Sequence, residues 1–227
     1  MKNLLINSFI IHSRPYSETS IIFDILTESN GLISLIAKGI KKKKDGLLLQ
    51  PFKELQLSYT SKGSLPILTK FEIINSFPKI KNKYLLIGLY FNELIYKFIP
   101  KGEPLPSLYS LYKNQLEYMK TTKDTPDVIL LTFETMFLKE IGYEVVRAQI
   151  QSSNIIWDKK YFYDHEVGFR EVSNNHSSTL ISGKSLYHLL EYEFSLIDEI
   201  KGVRNIIKNI INELLGNKKI KSFDFID

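Results

Sequence analysis

The strongest constraint on the fold is a change of hydrophobic period near residue 77. Before it, apolar and polar residues alternate in short runs. After it, apolar residues recur every three to four positions. A chain written this way builds strands first and helices second, an α+β arrangement. With 227 residues it is long enough for two domains, expected here over 1–80 and 81–227.

The first region reads as five strands. Leu4 to His12 is ended by Arg14-Pro15, and Ile21 to Thr27 places Ile21, Phe23 and Ile25 on one face and Asp24 on the other. Ser29-Asn30-Gly31 turns that run into Leu32 to Ala37. Later, Leu55, Leu57 and Tyr59 alternate with Glu54, Gln56, Ser58 and Thr60, and Ser61-Lys62-Gly63-Ser64 leads into Ile67 to Ile74. A two-sheet sandwich usually takes about seven strands and about 100 residues. Five strands in this length fit a small closed barrel of the oligonucleotide-binding (OB) type.

After Phe77-Pro78, Ile87, Tyr90, Phe91, Leu94, Ile95 and Phe98 form one helical stripe ended by Pro100. A second helix spans about Ser107 to Met119. A third follows Pro126, with Asp127 expected as its N-cap, and stops at Gly142; it is apolar on more than one side and so is expected to be central. Leu186, Leu189, Leu190, Phe194 and Ile197 predict a fourth helix, and Val203 to Leu215 a fifth, capped by Gly216. Between about 143 and 182 lies an irregular excursion with β-like runs at Ile155 to Trp157 and Tyr161 to Tyr163, a turn at Asp164 to Gly168, and a polar loop from Val172 to Thr179.

One stretch in the strand region cannot be packed. Lys38, Lys41, Lys42, Lys43 and Lys44 fall between Ala37 and Gly46, with Gly39 and Gly46 placed to let the backbone turn. Ammonium groups this close repel, and each costs several kcal/mol to desolvate alone, so the segment projects into water or onto a polyanion. Residues 1–80 hold eleven Lys and Arg against six Asp and Glu, while the remainder holds nineteen of each. The richness in Lys, Ile and Asn suits an AT-rich genome, but such drift would not confine the excess to one end. A basic patch restricted to one region suits phosphate or anionic lipid.

Other chemistries find little support. With no cysteine, disulfides and thiolate metal sites are excluded, and His12, His165, His176 and His188 lack metal-ligand spacing. No cofactor or metal is expected. No phosphate-binding glycine motif, nucleophile elbow or zinc-binding His pair is present, so no enzyme is indicated. Glu18 is read as closing the turn after the first strand, Glu93 as a helix-surface partner of Lys97, and His165 with Glu166 as a solvated turn. The apolar runs are far shorter than a membrane span, and the start lacks a small-residue cleavage site, so a soluble cytoplasmic chain is expected.

The lysine loop has two readings. As a solubilising surface loop it does nothing further. As part of an OB barrel it supplies a basic groove for single-stranded nucleic acid, with rings among Phe52, Tyr59, Phe71, Tyr16 and Phe23 as candidate stacking platforms. Lysine contacts to phosphate give salt-dependent, sequence-tolerant affinity. A protein-interaction adaptor and a basic OB protein of translation are the competing classes.

Read in order, HSRPYSETS, FDILTESNGLISLIAKGIKKKK, LQPFKELQLSYTSKGSLPILTKFEI, LYFNELIYKFIPKGEP and TFETMFLKEIGYE, continuing through YFYDHEVG, SGKSLYHLL and LGNKKIKSFDFI, resemble the RecO family of DNA repair and recombination mediators. The likeness covers nearly the whole chain. It implies an N-terminal OB barrel and a mainly helical domain without catalytic turnover, in a bacterial, nucleoid-associated protein that is a monomer on its own. It also implies binding of single- and double-stranded DNA, annealing of complementary strands, action with RecR, binding of the acidic tail of single-strand-binding protein, and help in loading RecA. By the family's pattern, Lys38 and Lys41, Lys42, Lys43 and Lys44 fall on its basic loop and Arg14 on its SR-x-Y turn, which makes these six the implied DNA contacts. Many members hold zinc with four cysteines in the irregular segment. Here the matching stretch, Gln149 to Ser178, has none and must keep its shape by packing and hydrogen bonds.

Overall fold

The computed structural model describes residues 5–61, 63–77, 82–145, 154–172 and 179–226. Leu4, Lys62, Pro78, His176 and the parts 149–153 and 173–178 of the expected finger-like stretch lie outside them. The described chain divides into two compact units, Met1–Thr121 with Ile220–Asp227, and Thr122–Lys219. The division expected at residue 80 follows the change of secondary structure, whereas these units follow packing.

The first unit is built on the expected barrel. Strands β1 (Ile6–Pro15), β2 (Ile21–Thr27), β3 (Gly31–Ala37), β4 (Lys53–Thr60) and β5 (Ile67–Ser76) close in the order β1-β2-β3-β5-β4, the OB arrangement. Alternation places Ile10, Phe23, Ile25, Leu35, Leu55 and Leu57 inside. A bulge between Ile10 and His12 shifts the register of β1 by one residue. His12, which strict alternation would turn inward, therefore lies opposite Asp24 on the outer face.

Helices α1 (Asn82–Phe98) and α2 (Pro106–Thr121) belong to this unit. The outward ring of Phe9 on β1 packs at 5.3 Å from Tyr109 and 5.0 Å from Tyr112 of α2. Glu54, expected on a polar face of β4, is buried there instead. It accepts hydrogen bonds from the Tyr109 hydroxyl at 2.8 Å and from Lys113 Nζ at 2.7 Å. Burial, then the Glu54 carboxylate, push the Tyr109 hydroxyl far above its ordinary pKa.

The C-terminal segment returns to the same unit and ends in α6 (Phe223–Ile226). Glu93 pairs with Lys97 at 3.5 Å, as its spacing suggests, and also accepts from the backbone N–H groups of Lys221 and Ser222, each at 2.9 Å. Phe223 packs 5.5 Å from Tyr90.

The second unit contains α3 (Pro126–Glu140), a three-stranded sheet in the order β7 (Gly168–Glu171), β6 (Lys160–Asp164), β8 (Ile181–Ser182), then α4 (Gly183–Leu190) and α5 (Ile200–Leu215). Helix α3 buries Ile129, Leu130, Leu131, Phe133 and Phe137, so it is covered on more than one side. Its N-cap is Thr125, not Asp127: the Thr125 hydroxyl accepts from Val128 N–H at 3.4 Å and Pro126 takes the first turn. Asp127 is engaged by Arg204 of α5 at 2.8 Å.

The fourth helix ends at Leu190 rather than continuing through Ile197. Tyr192 adopts a φ of 59°, and Phe194–Leu196 forms a separate 3-10 turn. Ile155 to Trp157 is not a strand, whereas Tyr161 to Tyr163 lies in β6. The turn from Asp164 is closed by its carboxylate, which accepts from the N–H groups of Glu166 and Val167. No helix among the described residues is long and apolar enough to cross a membrane.

Candidate nucleic-acid interface

The lysine segment forms two short 3-10 turns, Ile40–Lys42 and Lys44–Leu48. Ile40 and Leu49 at its two ends are drawn into the barrel core, so a segment that cannot pack is pinned by the two residues that can. The two glycines act differently. Gly39 takes a φ of 68°, whereas Gly46 is needed because a Cβ there would sit 2.3 Å from the Ile40 carbonyl oxygen.

Hydrogen bonds tie the segment to the β1–β2 turn. Lys41 donates its backbone N–H to Thr19 O at 3.0 Å and its ammonium to Ser17 O at 2.7 Å, and Gly39 N–H reaches Ser20 Oγ at 3.3 Å. The turn itself is closed by Ser17 Oγ, which accepts from Ser20 N–H, the role the sequence suggested for Glu18.

β3 and β5 pair only at Ile36 and Ile67. Past that point β3 ends while β5 continues to Ser76, and the gap is a groove of about 580 Å³. Its lining includes Lys38 and Lys43 from the loop, Lys70 and Phe71 from β5, the apolar Ile40 and Leu68, and the carboxylates of Asp45 and Glu72. Lys38, Lys42, Lys43 and Lys44 are exposed and make no ion pair among the described residues. Four exposed ammonium groups outside any ion pair among the described residues, two of them lining a groove with apolar side chains, suit a chain of phosphates bearing flat bases.

Of the five candidate rings, Phe71 lines the groove and Tyr16 is 62% exposed. Phe23 is in the core, Phe52 packs its ring on Gly88 of α1, and the Tyr59 hydroxyl accepts from Asn30 Nδ2 at 2.9 Å.

Arg14 lies elsewhere, on the outer face of the barrel. Its guanidinium meets Asp24 at 2.5 Å, and Lys101 approaches the same carboxylate at 3.0 Å, His12 at 3.4 Å, with the Ser34 hydroxyl also donating to it. Asp24 is fully buried. Burial raises its pKa, but the hydrogen bonds from Ser34 and Lys101 and the charges of Lys101 and Arg14 outweigh burial and hold it below the ordinary carboxylate value.

The structure therefore brings Lys38 and Lys43 to one groove, turns Lys41 to a backbone carbonyl, leaves Lys42 and Lys44 without an ion pair among the described residues, and sets Arg14 on a separate buried acid. Sequence reasoning missed Lys70, although its alternation with the apolar residues of TKFEI is visible. Lys101 carried no signal, because only the path of the chain after α1 brings it over Ser34 and Asp24. Among the described residues no three His, Asp or Glu side chains gather as a metal site.

Comparison with known proteins agrees with this architecture. Residues 1–77 match the family model described as recombination protein O N terminal, and residues 83–216 match recombination protein O C terminal. The chain is 32% identical over 221 residues to the DNA repair protein RecO of Salmonella enteritidis PT4, covering 95% of this chain and 90% of the relative. It is 31% identical over 214 residues to that of Burkholderia pseudomallei, covering 92% of this chain and 78% of the relative. For Pseudoalteromonas translucida the identity is 30% over 218 residues, with 95% and 94% covered. With a closed OB barrel first in sequence, a mainly helical part after it and both family models matched in order along nearly all of its length, this chain belongs to the RecO family of DNA repair proteins.

Proposed function

We propose that the chain binds single- and double-stranded DNA through the lysine segment and its groove, and promotes annealing by neutralising charge. The observation that carries this is the set of exposed ammonium groups of Lys38, Lys42, Lys43 and Lys44, none in an ion pair among the described residues, with Lys38 and Lys43 lining an open seam of the barrel. Phosphate contacts of this kind position a strand without reading it. Two strands held on one basic surface repel each other less, and pairing then follows from their own complementarity. No bond in the DNA is made or broken.

The family resemblance extends the proposal to partners. RecR, the acidic tail of single-strand-binding protein and, through them, RecA loading on coated strands are the associations it implies, in the cytoplasm near the nucleoid. The test is annealing of dye-labelled complementary oligonucleotides, where pairing accelerated by wild-type protein and not by Lys42→Ala/Lys43→Ala/Lys44→Ala supports the reading. Equal acceleration by both proteins removes the lysines from the mechanism.

A second reading is favoured by Leu47, which is 75% exposed directly beside the lysines. An exposed apolar side chain next to the lysines in sequence suits a protein partner, and the chain would then act as an adaptor with incidental DNA contact. Retention of RecR binding and of repair in cells after complete loss of DNA binding selects this adaptor reading.

A further inference from the structure

A second concave site lies in the barrel unit, away from the lysine groove. It is a cavity of about 350 Å³ between β1, α1 and the returning C-terminal segment, lined by Ile11, His12, Asn92, Tyr96, Lys97 and Ser222 among others. This volume is at the small end of small-molecule pockets, about 300–1,000 Å³.

Three observations indicate an occupant. Asn92 is only 4% exposed, and its Nδ2 has no hydrogen-bond partner among the described residues. Its Oδ1 is taken by the Tyr112 hydroxyl at 2.6 Å, so turning the amide over would merely orphan the other atom. Next, His12 and Tyr96 stack with ring centroids 4.3 Å apart and planes at 25°, and both are partly exposed where they line the cavity. A third flat ring placed there continues the stack. Finally, cations outnumber carboxylates around it: Arg14 and Lys101 share the buried Asp24, and Lys97 and Lys221 line the cavity with Glu93.

We propose that this cavity receives one unstacked base of a single strand, with His12 and Tyr96 as its stacking platform, the Asn92 amide on its edge, and Arg14, Lys97, Lys101 or Lys221 on the adjoining phosphates. A buried amide nitrogen with no partner among the described residues, aromatic faces and nearby cations together match the three parts of a nucleotide. An acidic peptide would satisfy the cations but leave the ring stack and the amide unexplained. The proposal deepens the function above and rests on the reading of this unit as a single-strand binder. It gives the protein a second place to hold a strand.

The test compares binding of a thymidine oligonucleotide of about fifteen residues with an abasic one of equal length, by fluorescence anisotropy at fixed salt. Wild type is expected to favour the base-bearing strand by at least about fivefold, the lower end of one base–aromatic stack. Tyr96→Leu, and separately His12→Leu, bring that ratio to about one, with folding checked by circular dichroism. The Lys42→Ala/Lys43→Ala/Lys44→Ala variant instead weakens both strands together. If that variant binds like wild type, the lysine reading fails while the base site is still read by the ratio.

A wild-type ratio near one, or a ratio retained in both Tyr96→Leu and His12→Leu, overturns the base site and leaves the cavity to water. A tetra-aspartate peptide that binds wild type but not Tyr96→Leu, with no base discrimination, makes it a peptide site and equally overturns the assignment.

Discussion

Replacing Lys42, Lys43 and Lys44 with alanine tests the interface at its centre. These three are chosen because they are exposed and make no ion pair among the described residues, whereas the Lys41 ammonium helps hold the loop to Ser17. The anchors Ile40 and Leu49 and the backbone bonds from Lys41 N–H to Thr19 and Lys43 N–H to Ile40 remain, so the loop keeps its place. Each phosphate contact adds about 0.7 to the slope of log affinity against log salt for a single strand, so losing three flattens it by about 2. Over a fourfold rise in salt the variant therefore loses about 20-fold less affinity than wild type does. Anisotropy titrations of labelled single-stranded DNA at several salt concentrations measure both slopes, on two unrelated sequences to confirm that the loss is uniform. A variant with the wild-type slope refutes the reasoning, because exposed ammonium groups that touch phosphate must release counterions.

Three further perturbations probe the scaffold. Gly46→Ala places a methyl group against the Ile40 carbonyl and is expected to cost about 1–3 kcal/mol in denaturant unfolding, with weaker DNA binding as the loop shifts. Thr125→Ala removes the N-cap of α3 and is expected to cost about 0.5–1 kcal/mol, since the bond is long at 3.4 Å. Glu199 is raised by burial but lowered further by Lys160 and the Ser182 N–H, to a pKa of about 2 from 4.5. Its stabilisation is thus complete above pH 4.5 and lost as pH falls toward about 2, so Glu199→Gln should flatten the acid limb of unfolding in that window. An unchanged acid limb would show that Glu199 titrates alike in the folded and unfolded chain, and so is not held down by Lys160 and the Ser182 N–H.

The barrel was legible because each strand has one face in a small closed core. Ile21, Phe23 and Ile25 alternate for that reason, and β2 runs over Ile21–Thr27 as their spacing suggests. The opposite faces were less legible. Asp24 and Glu54 read as polar outer positions, yet both are buried, because the partners that satisfy them come from Lys101 and from Tyr109 and Lys113, far along the chain. Helix ends turned on competition among neighbours: Thr125 and Asp127 both suit an N-cap, and the pull of Arg204 on Asp127 left the cap to Thr125.

Taken by itself, the sequence determined what repeats locally: the change from period two to period 3.6, the strands and helices that follow from it, and a cluster of lysines that could not be buried. Those properties depend on neighbours within a few residues, so the order of side chains suffices to impose them. Only the tertiary structure decided that β3 and β5 part beyond Ile36 to open a groove beside Lys38, Lys43 and Lys70. It also decided that Arg14 would be held by Asp24 and that the Asn92 amide nitrogen, on a residue lining the second cavity, would have no partner among the described residues. Such pairings join residues tens of positions apart, and their energies are set by burial and geometry that exist only once the chain has closed on itself.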